Sequence, residues 1–99
     1  MKTEALGRGK PKDAYDIYCT INYYPGGVRA LTEAFSPYRK KELIQRMRRK
    51  LREKFASAEH AGPVDIVAFL NIREDGEKMR IKQDAYQKVK YLTDKLQDT

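Results

Sequence analysis

The chain has 99 residues, 40% apolar and 35% charged, with no Trp and a formal net charge of +7. That length supports one domain with one modest core, and the composition is too apolar for a disordered chain. No apolar run approaches the ~18 residues of a membrane span, the N-terminal MKTEALGRGKPK offers no stretch for a secretory signal, and the lone Cys19 excludes an internal disulfide or thiolate zinc cluster. A cytoplasmic protein is expected, with no membrane partner.

Residues 1–10 read as a flexible lead-in, and Pro11 suits the first turn of a helix. Asp13 to Tyr24 is open between two readings. As a strand, Tyr15, Ile17, Cys19, Ile21 and Tyr23 alternate with polar positions, and β-propensity favours this. As a helix, Ala14, Ile17, Tyr18 and Ile21 form one stripe. Pro25-Gly26-Gly27 ends the element. Val28, Leu31 and Phe35 mark a two-turn helix. Ser36-Pro37 closes it and opens the next, with Ser36 as cap and Pro37 in the first turn. Tyr38 to Ala58 is predicted as a helix of about 20 residues, with Leu43, Met47, Leu51 and Phe55 recurring every four positions. Residues 59–63 read as a loop. Val64 to Ile72 is a buried strand or a short buried helix. After a break at Arg73 to Gly76, Ile81, Ala85, Val89, Leu92 and Leu96 form a helical stripe to the end.

The charge is concentrated. Residues 39–54 hold nine bases and two acids, and twelve of each remain elsewhere. Arg39, Lys40, Arg46, Arg48, Arg49 and Arg52 are the candidate contacts to phosphate or nucleic acid; a solvated outer helix face would carry the same pattern. A second cluster stands at Lys12, Asp13 and Asp16. On a helix, Lys12 and Asp16 are i, i+4 neighbours, suited to a phosphate contact beside orienting carboxylates. An ordinary helix N-terminus would equally carry acids that complement the macrodipole. The tyrosines suit core-edge packing more than base stacking, and the only histidine, His60, has no Cys or second His to support a metal site. Cys19 lies in an apolar run as an inert core thiol.

The string Gly9-Lys10-Pro11-Lys12-Asp13-Ala14-Tyr15-Asp16-Ile17-Tyr18, followed by Tyr24-Pro25-Gly26-Gly27, resembles the C-terminal part of AbiEii/AbiGii-type nucleotidyltransferases, some of which are abortive-infection toxins. The resemblance continues through Lys54-Phe55, Gly62-Pro63, Val67-Ala68-Phe69-Leu70 and Asp84-Ala85-Tyr86, over about residues 8–97. It implies an all-α fold, a bundle of about four or five helices over residues 11–99, and turns both ambiguous segments towards helix. It also implies that Lys12, Asp13 and Asp16 line a nucleotide site.

The family's catalytic core carries a Gly-Ser element and an Asp-x-Asp pair that holds metal ions. This chain has no Gly-Ser, and no two of its seven aspartates are two apart. Two-metal chemistry needs such closely spaced carboxylates. The expected protein is therefore a non-catalytic module with no metal site of its own. It completes a nucleotide site in trans, or it is a truncated gene product. Mg²⁺ and a nucleoside triphosphate enter only if a catalytic core is supplied, and the expected partners are that core domain or an acidic antitoxin-like protein. The alternative is a small basic protein that binds RNA or DNA through the Arg39 to Lys54 segment.

Overall fold

A computed structural model describes residues 11–97; the expected lead-in, residues 1–10, lies outside the described residues. Among the described residues five helices follow one another: α1 (Pro11–Tyr23), α2 (Gly27–Phe35), α3 (Glu42–Lys54), α4 (Ala61–Leu70) and α5 (Asp75–Lys95), with a 3₁₀ turn (Ser36–Tyr38) after α2. No strand occurs among the described residues. The molecule is a small all-α bundle.

Both ambiguous segments are helical. In α1 the stripe of Ala14 and Ile21 is 3% and 2% exposed, with Ile17 and Tyr18 packed at its edge. A helix places these side chains on one side of α1, the helix that packs against α4. A strand would split this stripe, with Ile17 and Ile21 on one face and Ala14 and Tyr18 on the other, so packing overrides local propensity. Gly26 and Gly27 then reverse the chain at φ +92° and +79°, a left-handed geometry that costs glycine little. Gly26 is further fixed by proximity, because a Cβ there would stand 2.6 Å from that of Ala30.

Three boundaries differ from the sequence expectation. Ser36 does not cap the basic helix: it stays helical at φ −54°, ψ −42°, its N–H donating to the Thr32 and Glu33 carbonyls. Pro37, which needs no donor, falls in the 3₁₀ turn, and α3 starts only at Glu42. Arg39 and Lys40 thus lie in the turn before α3. The helix also stops at Lys54 rather than Ala58. In turn, residues 61–63 of the expected loop are already the start of α4, while Glu59 and His60 stay outside it. Pro63 sits in its first turn, where the missing N–H is harmless, and both Gly62 and Pro63 are buried. Gly62 accepts the Phe55 ring so closely that a Cβ would stand 2.7 Å from it. Asn71, at φ +57°, ends α4, with Ile72 N–H donating to the Val67 carbonyl in a Schellman-type turn.

α4 and α5 supply the centre of the core. Ile66, Ala85 and Leu96 are fully buried, joined by Val89, Leu92, Leu31, Leu51 and Phe55. Each large side chain among these contributes about 1.5–3 kcal/mol by leaving water. Leu43, from the four-residue recurrence in α3, and Phe69 of α4 stay outside the core, 71% and 43% exposed. Cys19 is half-buried rather than a core thiol. With a shortest dimension of 22 Å, the bundle is about two helix layers thick.

Candidate binding face

The first turns of α1 bring Lys12, Asp13 and Asp16 together on the surface. Lys12 Nζ donates to Asp16 Oδ2 at 2.9 Å, with the two side chains 64% and 54% exposed. That hydrogen bond, reinforced by the carboxylate charge, raises the Lys12 pKa above its ordinary value. Asp13 is exposed beside them and lies in the helix's first turn, where a carboxylate complements the macrodipole. Among the described residues no group of three His, Cys, Asp or Glu side chains is placed to hold a metal ion.

The basic segment does not form one uniform face. Arg48 turns inward, its Nε donating to the Thr93 carbonyl on α5 at 2.7 Å. Arg39 Nη1 donates to the Ser36 carbonyl at 3.0 Å. Arg52 faces Asp94 at 3.9 Å. Arg46 and Arg49 share Glu42, at 3.9 and 3.4 Å, and Lys40 is exposed in the turn before α3. Of the six bases marked from the sequence, Arg39 and Arg48 thus tie down local structure, while Arg46, Arg49 and Arg52 remain largely exposed.

Between α1 and α3 runs an apolar groove that the sequence did not announce. Two adjoining hollows of about 340 and 280 Å³ share Ile17, Met47 and Leu51. The first continues to Leu43, Arg46, Lys50 and Lys54 on α3. The second reaches Asp16, Thr20 and Ile21 on α1, with Leu31, Phe35 and Leu92 beneath. Asp16 therefore joins the Lys12 cluster to the groove. Tyr15 and Tyr18 do not line this groove; both are half-buried, and both rings are engaged elsewhere. Tyr15 stacks on Phe69 with ring centres 4.9 Å apart. Tyr18 donates to Asp84 Oδ2 at 2.5 Å.

The Tyr18 contact belongs to a polar network between α1 and α5. Lys88 Nζ lies 3.1 Å from the same Asp84 oxygen and donates to Asn22 Oδ1 at 2.6 Å. Burial, then the hydrogen bond to Asp84, pushes the Tyr18 pKa up to about 12. A further hollow of about 340 Å³ lies between α3 and α5, where Arg52 and Lys90 both face Asp94.

The fold and this face define a small helical bundle with an external, partly apolar groove. No family model, no curated protein and no solved structure matches the chain. No helix among the described residues is long and apolar enough to cross a membrane.

Proposed function

We propose that the chain is a non-catalytic helical module that completes a site on a separate protein, in the manner of the C-terminal part of the AbiEii/AbiGii-type nucleotidyltransferases it resembles. The supporting observation is the placement of Lys12, Asp13 and Asp16 on one exposed turn, contiguous through Asp16 with an unfilled apolar groove. Charges with an internal structural task are commonly enclosed by partners. These stand at an edge where a second protein can cover them. In that reading Lys12 contacts a phosphate, and Asp13 and Asp16 orient groups around a nucleotide whose Mg²⁺ and catalytic carboxylates belong to the supplied core.

The test is complementation. A catalytic core of this transferase type, stripped of its own C-terminal part, is mixed with the chain, Mg²⁺ and labelled nucleoside triphosphates. The chain alone should transfer nothing, and the mixture should label an acceptor. Lys12→Ala and Asp16→Ala should abolish that gain while leaving the urea midpoint of the isolated chain unchanged, as for exposed pairs. Labelling by the chain alone, lost on Asp13→Asn, would overturn the reading. So would unfolding at much lower urea in either alanine variant.

A second reading is favoured by one observation: Arg46, Arg49 and Lys50 share an exposed side of α3, where three bases outnumber the one acid, Glu42, that Arg46 and Arg49 share. RNA or DNA binding there should weaken steeply with salt and fall when Arg46 and Arg49 are reversed in charge. Arg48→Glu would not be informative, since it also breaks the contact to Thr93.

A further inference from the structure

On α3 two lines of side chains run side by side at four-residue spacing. Leu43, Met47 and Leu51 form one; Arg46, Lys50 and Lys54 form the other. Four residues advance a helix by about 6 Å. The apolar line grades from open to closed: Leu43 is 71% exposed, Met47 half-buried and Leu51 6% exposed. Ile17 of α1 faces it across the groove. A continuous apolar floor beside a basic rail is thus left uncovered along one helix.

We infer that this groove docks an acidic amphipathic helix from a partner protein, its apolar side chains seated over Leu43, Met47 and Ile17 and its carboxylates along Arg46, Lys50 and Lys54. The match is one of period. An amphipathic helix presents anchors at i, i+4 and i+7 or i+8, which matches the i, i+4, i+8 spacing of the apolar line. Acids flanking that stripe fall at the spacing of the basic rail. Charge selects the occupant. A second copy docking through the same face would bring two basic rails together, and like charges across an interface are costly. A nucleic acid could use the rail but has nothing to bury against Leu43, Met47 and Ile17, which are aliphatic and offer no stacking face. This inference rests on the groove alone and needs neither a nucleotide nor the family resemblance.

Fluorescence anisotropy tests it with three labelled peptides of about 18 residues, long enough to hold a helix when constrained. One carries Leu at i, i+4, i+7 and i+11 with Glu along one flank. The second is its scramble, and the third replaces Glu by Lys. The first should bind saturably, with the other two weaker by about tenfold or more. Leu43→Glu and Lys50→Glu should each cost a similar factor, and Lys50→Glu should gain affinity for the Lys-flanked peptide. Both positions are exposed, so circular dichroism should show intact helices. A Leu43→Ser variant supplies the same test without added charge. Equal binding of the scramble, or indifference to both Leu43 variants, would overturn the inference. So would a 20-mer oligonucleotide that displaces the peptide and loses affinity with Lys50→Glu but not Leu43→Glu. A concentration-dependent dimer dispersed by Leu43→Glu would assign the groove to a second copy instead. None of these outcomes bears on complementation through Lys12.

Discussion

Tyr18 shows what one side chain does when it leaves the surface. Its hydroxyl donates to Asp84 across α1 and α5, and its pKa stands at about 12 rather than near 10. A tyrosine whose folded pKa is raised contributes stability that is fully present below the unfolded value and lost as pH climbs through the folded one. Stability should therefore fall between about pH 10 and 12, beyond the general effect of lysine deprotonation. Tyr18→Phe should remove that extra slope in urea melts at graded pH. Ultraviolet titration of the seven tyrosines should show one late phase near pH 12 that the same substitution deletes. The aromatic pattern in the sequence suggested core-edge packing for such residues, and Tyr18 conforms. Its partner was not legible, because Asp84 lies 66 positions away and no local spacing connects them.

At the scale of elements, helix identity was easier to read than helix limits. The four-residue recurrence in α3 survives in the structure, but its start moved to Glu42 because the chain spends Ser36–Tyr38 on a 3₁₀ turn and then bends. Gln45 holds that bend. Its Nε2 donates to the Arg39 carbonyl at 2.6 Å and to the Leu96 carbonyl at 2.8 Å, joining the turn before α3 to the end of α5. The last carbonyls of a helix lack intrahelical donors, so this side chain satisfies one that is otherwise buried. Gln45→Ala should cost about 2 kcal/mol in urea denaturation, mostly through the orphaned carbonyls. A cost below about 0.5 kcal/mol would mean that water replaces the amide without loss. Nothing in the sequence marks Gln45, one polar residue among bases, because its two partners lie in the turn before α3 and, 51 positions away, at the end of α5.

In the whole molecule, burial separates residues that periodicity had grouped. Ile66 is fully buried between α4 and α5, while Leu43 is 71% exposed. Ile66→Ala should cost about 2–5 kcal/mol, as cavity-forming core changes do. Leu43→Ala should remain within about 0.5 kcal/mol. Comparable losses at both positions would show that the groove closes in solution. The all-α class was only an implication of the resemblance, since the patterns of residues 13–24 and 64–72 fit a strand as well as a helix; the main stripe of α5 was determined by the sequence alone, because hydrophobic period is a local property of consecutive residues. The basic concentration over residues 39–54 was equally local. Tertiary structure alone decided that Asp13 to Tyr24 is a helix, because its alternating pattern satisfies either period until α4 is present to cover one side. It alone decided which bases of α3 meet solvent, since Arg48 is drawn in by a carbonyl on α5. It alone opened the groove. Leu43, Met47 and Leu51 are equivalent along the chain, and only the spacing between α1 and α3 leaves the first bare and the last covered.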